Sequence, residues 1–132
     1  MNREEFADLL KSAWCKETSY EPEKWTQQNP AHGQCAITAP LVQDYFGGEI
    51  LWCEAFLPDD DIIYGKGIDH YFNQIDDEII DYTKHQFPKG SIFTKPAHKR
   101  KTFSTTRDFI LSYPETLRRY NILKNRLQSK AA

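Results

Sequence analysis

Cysteine is scarce in this sequence, and the three cysteines that occur cannot all pair with one another. They lie at positions 15, 35 and 53, and an odd, widely spaced set argues against a disulfide framework and for a reducing compartment. The cysteines and the four histidines also lack the C-x-x-C and H-x-x-x-H spacings of zinc sites. We therefore expect no metal, no cofactor and a cytoplasmic location.

Long apolar runs are also missing. No stretch approaches the roughly 20 residues that span a bilayer, and residues 1–5 lack the apolar segment of a secretory signal. The sequence has no phosphate-cradling glycine loop and no G-x-S-x-G motif. These absences predict a protein without a membrane span and argue against nucleotide binding or serine-hydrolase chemistry.

What is present fits one folded domain. The chain has 132 residues, of which 39% are hydrophobic and 14% aromatic, enough for a core without metals or disulfides. We predict a single domain over residues 1–132, of the α+β class. In this fold, N-terminal helices pack on a small central antiparallel sheet of at least three strands, and helices follow at the C-terminus.

The net charge of −2 conceals an asymmetry along the chain. Residues 1–88 carry 6 Lys and Arg against 17 Asp and Glu, whereas residues 89–132 carry 11 against 2. Near-neutrality overall favours a basic C-terminal region that packs across the acidic body. The less favoured alternative is a surface for nucleic acid or an acidic partner around Lys99, Arg100 and Lys101, because no recognised nucleic-acid motif accompanies them.

Local patterns predict the order of the elements. Apolar residues at helical spacing predict a helix over residues 6–14 and a second, buried helix over 35–46 that Gly47 and Gly48 end. Pro40 predicts either a kink in this helix or a regular part that begins only around Thr38. The later predicted segments are a strand over 49–56, a loop over 57–68, strands over 70–75 and 78–82, and helices over 104–111 and 114–128.

A cysteine nucleophile needs a favoured thiolate, a nearby base and a group that orients the base. Cys35 precedes an apolar helix, and a helix N-terminus favours the thiolate. Gly33, just before it, leaves space where a substrate carbonyl must approach. A small apolar core residue is the alternative role for Cys35.

The predicted hairpin supplies the other two groups. If Asp76 and Asp77 form a two-residue turn, His70 and Asp81 become diagonal neighbours on one face of the sheet. An orienting carboxylate stands in that relation to a catalytic imidazole. Taken alone, His70 could be a surface or hydrogen-bonded histidine and Asp81 a strand-end cap. Together with Cys35 they predict a Cys-His-Asp triad.

Several blocks of the sequence resemble the YunG family of small uncharacterised bacterial proteins. The blocks are Gly33-Gln34-Cys35, Gln43-Asp44-Tyr45-Phe46-Gly47-Gly48, His70-Tyr71-Phe72-Asn73, Ile80-Asp81-Tyr82-Thr83 and Gln86-Phe87. The family's layout is similar to that of papain-like and NlpC-type cysteine peptidases, with cysteine on a helix and histidine and a polar residue on successive strands. The sequence departs from the expected pattern at Asp69, where we expect a small residue, and at Phe72, where we expect tryptophan.

The resemblance implies an activity and a further site residue. The expected function is a cysteine-dependent hydrolase or acyltransferase that acts on an amide or thioester of a small molecule or peptide. Gln28 or Gln34 is expected to donate to the oxyanion, Gln28 because it lies where papain-like enzymes keep such a glutamine and Gln34 because it adjoins Cys35. The alternative is a non-enzymatic domain on the same scaffold that binds a protein partner, or nucleic acid through the basic C-terminal region.

Overall fold

The computed structural model describes residues 1–59 and 66–132. Of the loop predicted over 57–68, residues 60–65 lie outside the described residues. The described helices are α1 (Arg3–Ala13), α2 (Cys35–Phe46), α3 (Thr106–Leu111) and α4 (Pro114–Ala131), with short 3-10 turns at Lys16–Thr18, Pro22–Lys24 and Lys84–Gln86. The described strands are β1 (Glu49–Phe56), β2 (Ile68–Ile75), β3 (Glu78–Ile80) and β4 (Ile92–Phe93).

The four strands form one antiparallel sheet in the order β3-β2-β1-β4. Consecutive strands β1, β2 and β3 are neighbours, so the sheet is a meander to which β4 adds on the free edge of β1. Helix α2 packs against β1 and β2, and α4 packs against α1 and α2. This arrangement confirms the predicted α+β class and the predicted antiparallel sheet.

The β2–β3 hairpin has the predicted two-residue turn. Asp76 and Asp77 have φ of 51° and 66°, the positive values that a type I′ turn requires and that Asp tolerates better than most residues. Asn73 therefore pairs with Ile80, which is the predicted register. The third strand is shorter than predicted, and Asp81 follows its last residue.

Helix α2 begins at Cys35, so one of the two alternatives predicted from Pro40, a regular part that begins only near Thr38, is wrong. The amide of Thr38 donates to the carbonyl oxygen of Gln34 at 3.0 Å, which closes the first helical turn ahead of Pro40. Gly47 ends the helix with φ of 74°, a conformation that glycine adopts without steric cost.

The main core lies between the helices and the inner end of the sheet. Its fully buried side chains come from α1, α2 and α4, namely Phe6, Leu10, Ile37, Leu41, Val42, Leu123 and Leu127. No described helix combines the length and the apolar composition needed to cross a bilayer. The apolar faces of α1, α2 and α4 are thus directed at one another, which fixes the start of α2 relative to the sheet.

The basic C-terminal region packs on the acidic body, in line with the charge asymmetry of the sequence. Arg107 forms an ion pair with Asp44 at 2.9 Å, and Arg126 donates to the carbonyl oxygen of Ala13 at 2.6 Å. These contacts tie α3 and α4 to α1 and α2 over more than 60 residues of sequence.

Candidate active site

Cys35 is the first residue of α2 and lines a cavity of about 1350 Å³. The residue is only 9% exposed, and its thiol donates to the carbonyl oxygen of Asp69 over 3.8 Å. As the first helical residue, Cys35 has a backbone N–H without an intrahelical acceptor. The helix start therefore offers a thiol and a backbone donor at the wall of one cleft.

Gly33 was expected to leave space for a substrate carbonyl, but in the structure it makes room for the backbone of Tyr20. Its φ is 72°, and a Cβ there would come within 2.8 Å of the Tyr20 backbone nitrogen. Its carbonyl oxygen accepts a hydrogen bond from that same nitrogen at 2.9 Å. Gly33 thus lets the segment around Tyr20 close against the start of α2, and through that contact it shapes the cavity that it also lines.

His70 lies on β2 with its side chain 1% exposed. Three phenylalanine rings surround the imidazole: Phe72 stacks on it at 5.5 Å between centroids, Phe87 meets it edge-on at 4.9 Å, and Phe93 lies at 6.2 Å. Such close packing leaves the ring little freedom to rotate. Phe72, where tryptophan was expected, contributes a ring to this packing.

Asp81 holds the imidazole from one side. The Nε2 atom of His70 lies 2.6 Å from Oδ2 of Asp81. The other carboxylate oxygen of Asp81 accepts hydrogen bonds from the backbone nitrogen and the hydroxyl of Thr83, at 3.2 and 3.3 Å. A carboxylate fixed in this way orients the ring and stabilises its charged form.

Burial alone would lower the pKa of His70, but the hydrogen bond to Asp81 and the interaction with Cys35 outweigh it and raise the pKa to about 9. The imidazole is therefore charged at neutral pH. Its other nitrogen, Nδ1, is buried and has no hydrogen-bond partner among the described residues. The Cys35 thiol is thus close enough to the ring to raise its pKa, and its sulfur also lies 3.8 Å from the carbonyl oxygen of Asp69.

The two glutamines expected at the oxyanion lie in different settings. Gln34 is fully buried, and its Nε2 donates to the carbonyl oxygen of Cys15 at 3.1 Å. Gln28 is exposed in the turn that follows Trp25 and is not among the residues that line the cavity. Neither side-chain nitrogen is placed by a hydrogen bond to Cys35.

Gln86 is a cavity residue that sequence reasoning did not assign to the site. Its Oε1 accepts from the backbone nitrogen of Gly33 at 3.2 Å, and its Nε2 is buried without a partner in the described chain. A buried donor without a partner destabilises the folded state. Gln86 Nε2 is therefore a position from which the protein could donate a hydrogen bond to a ligand oxygen. The sequence signal was the Gln86-Phe87 pair among the blocks that resemble the family.

Asp69, the unexpected residue before His70, anchors part of the basic segment. Its Oδ1 accepts from Lys99 Nζ at 2.7 Å and from Trp52 Nε1 at 2.8 Å. Burial raises the pKa of Asp69, but these two hydrogen bonds lower it further and leave it below its usual value. Lys99 is thus engaged within the molecule. Of its basic neighbours, Arg100 makes a long contact with the carbonyl oxygen of Phe103 and Lys101 lines the cavity.

Across residues 1–59 and 66–132, no group of three or more His, Cys, Asp or Glu side chains is arranged to hold a metal ion. The arrangement instead combines a thiol, a charged imidazole and a carboxylate beside a cleft, and it defines a small α+β protein with a buried cysteine–histidine–aspartate cluster.

The chain belongs to the YunG family, whose model, described as YunG protein, matches residues 2–132. It is similar to a protein of Bacillus subtilis (strain 168) described as "Uncharacterized protein YunG", with 35% identity over 82 residues. That match covers 60% of this chain and 57% of the relative, so the chain spans a little over half the length of that protein. No solved structure matches the chain.

Proposed function

We propose that this protein is a cysteine-dependent hydrolase or acyltransferase in which Cys35 is the nucleophile, His70 its acid–base partner and Asp81 the group that orients His70. One observation carries the proposal: Asp81 fixes a buried imidazole through Nε2 and leaves its Nδ1 unpartnered, and the Cys35 thiol, which starts a helix and lines a large cavity, is close enough to raise the pKa of that imidazole. An imidazolium beside a thiol favours the thiolate, which is the nucleophilic form.

The reaction follows from these positions. The Cys35 sulfur bonds to the carbonyl carbon of an amide or thioester, and the carbonyl electron pair moves onto oxygen. When the tetrahedral intermediate collapses, the bond to the leaving nitrogen or sulfur breaks and the His70 imidazolium supplies its proton. Water or a second nucleophile then gives a proton back to His70, bonds to the acyl carbon and releases the Cys35 thiolate.

The oxyanion needs fixed donors near the Cys35 sulfur. The backbone N–H of Cys35 is one, because the first helical residues have free amides. The Nε2 of Gln86 is the second donor that we assign, since it is buried and unpartnered and belongs to a residue that lines the cavity. The side-chain nitrogen of Gln34 donates to the carbonyl oxygen of Cys15, and Gln28 is exposed to solvent. Either glutamine would have to change its contacts to donate to the oxyanion.

The same proposal includes the papain-like or NlpC-type layout. Cysteine begins a helix, histidine lies on a later strand, and the carboxylate follows the next strand, which is the order those peptidases share. The three cysteines are free thiols, as a protein working in the reducing cytoplasm would require.

The test uses phenyl thioacetate as an acyl donor and intact mass spectrometry as the readout. We expect the wild-type protein to gain one acetyl group rapidly on Cys35, and Cys35→Ser to gain none at that position. His70→Ala should slow the step, whereas His85→Ala, which removes an exposed histidine nearby, should not. Acetylation of Cys35 no faster than that of Cys15 would reject the enzyme and favour a binding domain on this scaffold.

A further inference from the structure

Arg119 is a buried cation on the wall of the Cys35 cavity. It lies on α4, it is 5% exposed, and it lines the same cavity as Cys35. Burial lowers the pKa of its guanidinium, while the negative charge of a Cys35 thiolate raises it, which places the two groups within electrostatic range. Arg119 has no role in the chemistry proposed for Cys35, His70 and Asp81.

No carboxylate forms an ion pair with Arg119 within the described part of the chain, and Glu115, whose charge raises the pKa of Arg119 from a distance, is paired with Arg118. The guanidinium donates to the carbonyl oxygen of Thr18 at 3.2 Å and, more weakly, to the hydroxyl of Thr116 at 3.5 Å, and it lies 5.6 Å from the ring of Tyr20. All of these partners are uncharged. A guanidinium carries five N–H donors, so these contacts leave donors available.

Two other arginines of this molecule, unlike Arg119, form ion pairs with a carboxylate. Arg107 is paired with Asp44, and Arg118, the residue before Arg119, is paired with Glu115. Both are more exposed than Arg119 and yet have a counterion. A buried charge without one is expensive, so its persistence on a cavity wall indicates that a ligand supplies the missing charge.

We infer that Arg119 binds a carboxylate group of the acyl substrate, so that the substrates of Cys35 are acyl compounds that carry a free carboxylate. The part of this inference that concerns acyl transfer to Cys35 rests on the proposed function. The binding of a carboxylate by Arg119 does not depend on it. A planar guanidinium presents paired donors that match the two oxygens of a carboxylate.

A carboxylate fits better than a phosphate. Arg119 supplies one buried positive charge, whereas a phosphate monoester carries about −1.5 to −2 at neutral pH. Among the other cations that line the cavity, Lys99 is bound to Asp69 and Arg118 to Glu115. The remaining three, Lys16, Lys66 and Lys101, are exposed to solvent. One unpaired guanidinium matches one carboxylate.

The first experiment compares two alkylating reagents of similar size, iodoacetate and neutral iodoacetamide, at Cys35. Any change in thiolate content affects both reagents, so the ratio of their rates reports the charge near the thiol. Arg119→Gln should lower the iodoacetate-to-iodoacetamide ratio by about fivefold, as expected when one nearby charge is removed. Arg119→Lys should retain most of the ratio, and Lys124→Gln, which removes one positive charge from the same helix outside the cavity, should leave it unchanged.

The second experiment does not need a reactive Cys35. The melting temperature of the wild-type protein is measured with N-acetylglycinate, with neutral N-acetylglycinamide and with inorganic phosphate. N-acetylglycinate alone should raise it, and the rise should vanish in Arg119→Gln but persist in Lys124→Gln, whose charge lies on the same helix outside the cavity. Should Arg119→Gln not fold, the comparison among the three ligands on the wild-type protein decides.

The outcomes separate the two proposals. An unreactive Cys35 together with stabilisation by N-acetylglycinate would reject the enzyme and support the carboxylate site. A reactive Cys35 whose reagent ratio is the same in Arg119→Gln and the wild type would overturn the carboxylate site and leave the enzyme standing. Stabilisation by N-acetylglycinamide equal to that by N-acetylglycinate, or by phosphate alone, would also overturn it.

Discussion

Cys35 and Cys53 are both neighbours of His70 and differ in almost everything else. Cys53 is directly opposite His70 in the β1–β2 register, is 2% exposed, and packs with Leu51 and Phe72. Burial, with the charge of Asp81, raises its pKa to about 11. Cys35 instead begins a helix and lines the cavity.

The comparison shows that closeness to a histidine does not make a nucleophile. Cys53 has the histidine as a cross-strand neighbour but lacks access to the cavity, and its environment favours the neutral thiol. Cys35 combines access, a helix start and a charged imidazole with a free nitrogen. Each of these differences can be removed separately by a point mutation.

The largest effect is expected from removing the imidazole. His70→Ala should lower the rate of Cys35 alkylation at pH 6 by about a hundredfold, because a thiol of ordinary pKa near 8.5 is almost wholly protonated there. Quantitative mass spectrometry of the alkylated peptides measures the rate. His85→Ala is the matched control, and a similar loss in that variant would remove the special role of His70.

The pH dependence of stability should report the same pair. The pKa of His70 is about 9 in the folded protein against an ordinary value of 6.5. A raised folded pKa stabilises fully below the unfolded value, and the stabilisation is lost as pH rises through the folded value. The contribution of His70 to the free energy of unfolding should therefore fall between pH 6.5 and 9, by on the order of 2 kcal/mol, and a Cys35 thiolate, whose own contribution rises over that range, should offset part of this loss.

Denaturant titrations across that range measure this loss. Asp81→Asn removes the carboxylate that helps to raise the His70 pKa, so its stability should fall less over the same interval. Equal slopes in the two proteins would show that groups other than His70 set the pH dependence.

The orienting carboxylate should have a smaller effect on reactivity than the imidazole. Asp81→Asn keeps the shape of the side chain but removes its charge, and we expect Cys35 alkylation at pH 6 to slow by about tenfold. Asp77→Asn at the tip of the hairpin is the control, since asparagine tolerates its positive φ. The idea that Asp81 orients His70 would not survive equal rates in Asp81→Asn and the wild type.

The smallest effect concerns Cys53. Phe93 packs against the cluster that buries Cys53, so Phe93→Ala should open it and raise Cys53 alkylation at pH 9 by about threefold, while the Cys35 rate at pH 6 changes little. Peptide mapping distinguishes the two sites. If Cys53 reacted as fast as Cys35 at pH 6 in Phe93→Ala, burial alone would explain why Cys53 is less reactive than Cys35 in the wild type.

The sequence predicted the parts of this comparison that depend on local rules. The bounds of α2 follow from an apolar run that glycine ends, and the register of β2 and β3 follows from a two-residue turn at Asp76 and Asp77. The same register places Asp81 beside His70, which is why the hydrogen bond between them could be anticipated.

Contacts between residues far apart in the sequence could not be predicted from local rules. Arg119 meets the Cys35 cavity because α4 packs on α2. Arg119-Tyr120 fits the family resemblance, but no local rule connects that pair with Cys35. Gln86 reaches Gly33 across 53 residues of sequence. Gly33 was expected to clear space for a substrate, and its main constraint turned out to be a contact with Tyr20.

The most direct test of the central claim is the rate of Cys35 alkylation by iodoacetamide as a function of pH. If Cys35 is a thiolate paired with the His70 imidazolium, the rate should already be on a plateau near pH 6, where Cys15 and Cys53 scarcely react. A Cys35 rate that instead rises in parallel with that of Cys15 through about pH 8.5, the ordinary thiol pKa, would contradict the account.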